Sequence, residues 1–236
     1  MYGTYDIPCK LAWDALTIEI TSLSDKLFHY RREGAGQSIE KELISGNCKL
    51  KISPVEPLST PKFITPYLLI EFSTPVLIAP RMGQELFLTC PLDLGIHLST
   101  GANFQLIDIF TLTSSKYTLY GDPSNGILCK YWKSNVFNAS PDVQIYQEAV
   151  LNLRISNEDT EWMEVRQVVL NAYGMKIFYK DDHVQLNAVM EIGAGGIAET
   201  DFENDLPNEG LKKSVEIFYK KKLSLASKNF IMEQGL

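Results

Sequence analysis

Three histidines (His29, His97 and His183), four cysteines (Cys9, Cys48, Cys90 and Cys129) and 29 acidic residues could carry acid–base, nucleophilic or metal chemistry in this 236-residue chain. Histidine changes charge near neutrality and is a common metal ligand. None of the three has a second His or Cys three to five residues away, the local pairing that dedicated zinc sites use. No metal site and no resident cofactor is therefore expected, and Asp181-Asp182-His183 reads as the solvated tip of a hairpin. The cysteines lie about 40 residues apart with no CxxC pair. With no secretory leader in the sequence, they read as free thiols of a cytoplasmic protein, Cys48 and Cys90 in step with apolar neighbours.

Motifs for the commoner chemistries are missing. There is no GxSxG elbow and no GxxxxGK[ST] loop. Gly193-Ala-Gly-Gly-Ile-Ala198 matches a relaxed dinucleotide fingerprint, but that chemistry needs a helix whose N-terminus holds the pyrophosphate. Here an acidic stretch, Glu199 to Asp205, follows and Pro207 breaks it. The glycines read as a turn.

Asp108 is the more pointed case, because it interrupts the apolar run Leu106-Ile-Asp-Ile-Phe110. On alternation it faces away from Ile107 and Ile109, together with Leu106 and Phe110. A carboxylate there must find a partner or titrate high. An enzyme of hydrolase or isomerase type would gather Asp108, His29 and His97 from separate strands. Their meeting beside one pocket is the observation that would favour it.

The densest polar and aromatic cluster runs from Lys116 to Lys133, through Tyr117, Tyr120, Tyr131 and Trp132, and centres on Gly121-Asp-Pro-Ser-Asn-Gly126. It reads as a hairpin. A similar density occurs at Phe28-His-Tyr-Arg31-Arg32. Aromatic rings beside polar donors give a ligand flat contact area at low entropic cost. The ligand-binding candidates are therefore Tyr120, Asp122, Lys130 and Trp132, with His29 and Arg31.

The elements that must position these residues have period two. Leu16, Ile18 and Ile20 alternate with Thr17 and Glu19. Cys48, Leu50 and Ile52 alternate with two lysines, and Val184, Leu186, Ala188, Met190 and Ile192 form the longest clean case. Each such run puts one face on a core and the other in water, as antiparallel sheets do. Short Pro-, Gly- and Asp-rich stretches separate about a dozen strand candidates. Asp159 to Ala172 is written as strand because its valines are poor helix formers. The expected fold is all-β: an antiparallel two-sheet sandwich, jelly-roll-like, with few or no long helices. Residues 1–198 form one domain, and 199–236 form an acidic loop plus a C-terminal strand or helix, where Val215, Ile217 and Tyr219 alternate.

Composition limits the partners. With 22 Lys and Arg against 29 Asp and Glu, the net charge is -7, so no global basic field recruits nucleic acid or anionic lipid. No apolar run approaches the ~18 residues of a spanning helix. Neither nucleic acid nor membrane is expected as a partner. A homodimer is, because exposed sheet edges and a surplus of aromatics need cover.

Several stretches together resemble an uncharacterised family of archaeal proteins catalogued only as a domain of unknown function. They are Met1-Tyr-Gly-Thr-Tyr-Asp-Ile7, Tyr30-Arg31, Ser53-Pro-Val-Glu-Pro57 with Pro61-Lys62, Glu71-Phe-Ser-Thr-Pro-Val76, and Tyr117-Thr-Leu-Tyr-Gly121 followed by Gly126-Ile127. The likeness covers most of residues 1–190. It implies an archaeal, cytoplasmic protein and assigns no activity or catalytic residue. Two function classes follow: a non-catalytic binding or assembly module that takes a small-molecule or protein ligand on the hairpin surface, favoured by the missing catalytic motifs, and the enzyme built on Asp108, His29 and His97.

Overall fold

The computed structural model describes residues 2–14, 16–101, 103–205, 210–218 and 229–236. Among these, the first six strands are β1 (Gly3–Asp6), β2 (Cys9–Trp13), β3 (Leu16–Ser24), β4 (Leu27–Gly34), β5 (Gln37–Ile44) and β6 (Lys49–Val55). The middle of the chain adds β7 (Tyr67–Ile78), β8 (Gly83–Pro91), β9 (Asp93–Thr100), β10 (Asn103–Phe110), β11 (Lys116–Tyr120) and β12 (Ile127–Ser134). The last third holds β13 (Glu148–Asn157), β14 (Met163–Asn171), β15 (Phe178–Lys180), β16 (His183–Ile192), β17 (Ala198–Phe202), β18 (Lys212–Lys213) and β19 (Phe230–Met232). The described residues contain two single 3-10 turns, Ala172–Gly174 and Ala194–Gly196, and no α-helix. The chain is all-β.

Four sheets result. β2-β3-β4-β5 is an antiparallel meander, and β1-β6-β9-β10 a second four-stranded sheet. The third runs β11-β12-β7-β14. The fourth runs β18-β15-β16-β13-β8, with β17 beside β16 and β19 beside β17. Pairing is antiparallel except for β12 with β7 and β13 with β16. Parallel neighbours need a crossover, and the chain between β13 and β16 supplies one through β14 and β15.

Period-two alternation becomes burial. Leu16, Ile18 and Ile20 are buried with Leu50, Ile52, Leu94, Ile96 and Tyr30 in one apolar cluster, shared by the β2–β5 sheet and the β6-β9-β10 face. A larger cluster takes side chains from the β7-bearing and β16-bearing sheets, including Leu68, Ile70, Leu88, Leu151, Val168, Leu186 and Met190. The chain therefore builds two cores. β14 is a strand, as its valines dictate, with a register shift between Val165 and Gln167. The Lys180-Asp-Asp182 tip joins β15 to β16, and Asp181 takes a left-handed φ of 52°. All four cysteines are free, and burial pushes the Cys90 and Cys129 thiols up to about 12.

Past residue 198 the chain adds β17, β18 and β19 to the β16 sheet. The alternation at Val215 and Ile217 does not make a strand; Tyr219 lies outside the described residues. Instead the Ser214 hydroxyl donates to the Pro54 carbonyl and the Ile217 amide to the Glu56 carboxylate. The segment is tied to side chains and to the end of β6, so no ladder forms.

Candidate ligand-binding groove beside the β11–β12 hairpin

The hairpin forms with Lys116 opposite Tyr131 and Tyr120 opposite Ile127. Its turn is built by Asp122, which accepts from the Ser124 amide (2.8 Å) and hydroxyl (2.6 Å). Those bonds hold the Asp122 carboxyl below the usual carboxylate range. A side chain at Gly126 would strike the Asp122 carbonyl at 2.6 Å, which explains glycine there.

Along β12 the side chains divide by alternation. Lys130, Trp132 and Ser134 share one face. Lys130 is buried and donates to the Pro57 carbonyl at 2.7 Å, with Asp93 Oδ1 3.9 Å away. Asp93 is fully buried and accepts from the Thr60 hydroxyl at 2.7 Å. Burial pushes its carboxyl up to about 6, against the pull of Lys130 and of the Thr60 and Ser59 hydrogen bonds. Burial likewise lowers Lys130. Desolvation outweighs attraction on both sides of the pair. Lys130 is thus an internal clamp that fastens the hairpin to the 57–60 loop.

Trp132 is half-buried, and its indole N–H donates to the Thr89 hydroxyl at 2.9 Å, which fixes the ring. On the other face Tyr131 donates its hydroxyl to Glu71 at 3.0 Å, and Lys133 pairs with the same carboxylate. Tyr131, Trp132, Lys133 and Lys116 line a groove of about 360 Å³, closed by Leu112 to Ser114 and Gln147. Lys116 is exposed and makes no ion pair among the described residues. Across the 111–115 connection lies a second hollow of about 290 Å³, whose lining includes Ser59, Thr60, Thr111, Thr113 and Ser115. Thr113 borders both hollows.

The other candidates lie elsewhere. Tyr120 is only 2% exposed. Its hydroxyl accepts from the Gln234 amide (2.9 Å) and donates to the Gly235 carbonyl (3.2 Å), so it anchors the C-terminus. His29 and Arg31 sit on β4, in a different sheet from the hairpin. Arg31 pairs with Glu33 and Glu40, while His29 stands opposite Thr21 and Glu42.

Asp108, His29 and His97 do not meet on one face. Asp108 pairs across the ladder with Ile96 and turns into the smaller core. There it accepts from Tyr30 Oη (2.7 Å) and Arg32 Nε (2.6 Å). His97, the next residue after Ile96, points to the opposite face of β9. His29 likewise points away from its neighbour Tyr30. His97 is 1% exposed, its ring bonds no other side chain among the described residues, and burial and then Lys51 lower it to about 4, against weak backbone contacts with Gly95 and Lys51. A neutral ring in that position has no carboxylate to work with. No group of three or more His, Cys, Asp or Glu side chains able to hold a metal exists among the described residues. No helix there is long and apolar enough to cross a membrane.

Sequence reasoning passed over Asp93, Thr60 and the hydroxyl run Thr111 to Ser115. Asp93 carried the same signal as Asp108: a carboxylate inside an apolar run, Leu92-Asp-Leu94. The hydroxyls carry no periodic signal, because a connection between strands is placed by the strands it joins.

No curated protein and no solved structure matches the chain. A family model described as a protein of unknown function, DUF432, matches residues 1–233, and the fixed Trp132 ring, the Asp93–Lys130 clamp and the two hollows are therefore features of a chain that belongs to the DUF432 family.

Proposed function

We propose that this chain is a non-catalytic binding module of the archaeal cytoplasm, and that it takes a small, flat-faced, anionic ligand in the groove beside the β11–β12 hairpin. The observation that carries the reading is Lys116: an exposed cation without an ion-pair partner among the described residues, opposite Tyr131 in the ladder, whose hydroxyl is held by Glu71, on a groove that Trp132 also lines. A ring face offers stacking area, Lys116 offers the charge, and Thr113, Ser114 and Gln147 offer hydrogen bonds. The Tyr131 and Trp132 rings are held by hydrogen bonds before a ligand arrives, which spares part of the entropic cost of ordering side chains. The two cores support a second part of the reading: each pair of sheets stacks as a sandwich about its own cluster.

The test is native mass spectrometry of the purified chain, followed by titration of any released small molecule with tryptophan fluorescence as readout. A retained anionic compound, bound at least tenfold more weakly by Lys116→Ala with the melting temperature unchanged, supports the reading. A retained neutral compound, or affinity indifferent to Lys116, overturns it.

A further inference from the structure

A second concave site lies away from that groove, where the edges of two sheets converge. Gly3, Thr4 and Lys51 come from β1 and β6, while Tyr179, Lys180, Asp181 and Lys212 come from β15, β18 and the turn after β15. With Tyr2 and Gly210 they enclose about 500 Å³. Lys51, Lys180 and Lys212 make no ion pair among the described residues, and Asp181 is the one acid that lines the space. The lining thus carries a surplus of positive charge in a chain whose overall charge is -7.

The lysines are placed by backbone register rather than by salt bridges. Lys51 pairs with Thr4 and His97, and Lys212 with Tyr179. Lys51 Nζ rests 4.4 Å from the centre of the Phe104 ring, a cation–π contact made by the ammonium itself. Partial burial and the neighbouring Lys212 lower the Lys51 ammonium, the direction that uncompensated like charge imposes. The Tyr2 ring packs edge-on against Tyr146 and Tyr179, with centroids 5.2 and 5.5 Å apart, and joins both cores.

We infer that this cavity binds a small phosphorylated compound bearing two or more negative charges, with Lys51, Lys180 and Lys212 converging on the phosphate oxygens. Such a ligand relieves the repulsion between Lys51 and Lys212 and receives charge-assisted hydrogen bonds. The volume exceeds what inorganic phosphate fills, since a liquid water takes about 30 Å³, so an ester or a diphosphate fits better than the free ion.

The experiment is thermal shift and calorimetry of the full chain with inorganic diphosphate, against sodium sulfate and sodium chloride at matched ionic strength. Diphosphate is expected to raise the melting temperature and bind with one-to-one stoichiometry. Lys180→Ala and Lys212→Ala, both exposed positions, are each expected to weaken binding at least tenfold with unchanged circular dichroism, while Lys116→Ala leaves it intact. Loss with Lys116→Ala instead assigns the anion to the hairpin groove and overturns this site. So does an equal response to sulfate, or no shift at all. A short single-stranded oligonucleotide that binds more tightly than diphosphate and displaces it would mean a nucleic-acid backbone, and also overturns the proposal.

Discussion

Arg32 and Asp108 meet at 2.6 Å inside the smaller core, their side chains 1% and 7% exposed. The guanidinium also lies 4.6 Å from the centre of the Phe110 ring and donates to the Gly34 carbonyl at 2.9 Å. The Tyr30 hydroxyl and the Ile109 amide complete the carboxylate's shell, and burial first, then the carboxylate, raises the Tyr30 phenol above its ordinary value. Removing one member of such a group strands the others in a dry site, which costs more than the pair itself contributes. Asp108→Ala is therefore expected to lose about 3–5 kcal/mol in denaturant unfolding, whereas Asp108→Asn, which keeps an acceptor for Tyr30, loses less. Equal losses in the two variants would show that shape, not the acceptor, matters at this position.

The Asp93–Lys130 pair makes a different prediction, because both groups are shifted toward their neutral forms by burial. Asp93→Asn or Lys130→Met alone leaves one polar group stranded beside Cys90 and the Pro57 carbonyl, at an expected loss of about 3 kcal/mol. The double variant is expected to recover at least half of that sum. A double-mutant cycle in urea measures it, and strict additivity would exclude coupling between the two.

His97 sets part of the acid sensitivity. Its folded-state value lies near 4, below the ordinary 6.5, so the unfolded chain takes up the proton first as pH falls. The stability this gives is present above pH 6.5 and is lost between pH 6.5 and 4. Asp93 acts in the opposite sense: raised from 3.8 to about 6, its carboxyl favours the folded state only while protonated, and that contribution is lost as pH rises from about 4 to 6. The two partly cancel in wild type. His97→Leu removes the first and leaves the second, so its unfolding free energy, relative to wild type, is expected to improve on acidification from pH 6.5 to 4, by an amount of order 2–3 kcal/mol. A parallel fall in both proteins across that range would remove His97 from the account. Gly95 keeps the ring where it is, since a Cβ there would stand 2.7 Å from His97 Cε1 and 2.8 Å from Val55 Cγ1.

Much of the architecture was legible because alternation records which side of a strand meets a core. Val184 to Ile192 and Leu16 to Ile20 kept their inward faces, and the Gly121–Gly126 turn closed the expected hairpin. Alternation is blind to which strand lies alongside. It therefore gave no notice of the parallel β7–β12 and β13–β16 pairs, or of a core divided in two. The candidate site shows the same limit. The Lys116–Lys133 stretch was visible as a dense cluster, yet its partner loops, at 57–61 and 111–115, are brought there by tertiary folding. Aromatic content did not reveal which ring faces outward: Trp132 is half-buried and Tyr120 is enclosed in the larger core.

That enclosure makes Tyr120 a tether rather than a ligand platform. Its hydroxyl is the only polar atom on the ring, and it meets the backbone of Gln234 and Gly235. Its ring packs edge-on against Phe230 of β19, centroids 5.7 Å apart. Phe230 also meets Tyr67 at 5.0 Å, so β19 is fastened to β7 and β11 as well as to β17. Tyr120→Phe deletes the two hydrogen bonds and keeps the ring. It is expected to cost about 1–2 kcal/mol and to raise amide exchange at residues 230–235, while the strands of the larger core keep their protection. Tyr120→Ala also opens a cavity in that core, at about 3–5 kcal/mol by analogy with Phe→Ala, and is expected to lower global stability. Hydrogen exchange by mass spectrometry separates the two effects. If Tyr120→Phe leaves exchange at 230–235 unchanged, the C-terminal strand is held by Phe230 packing alone.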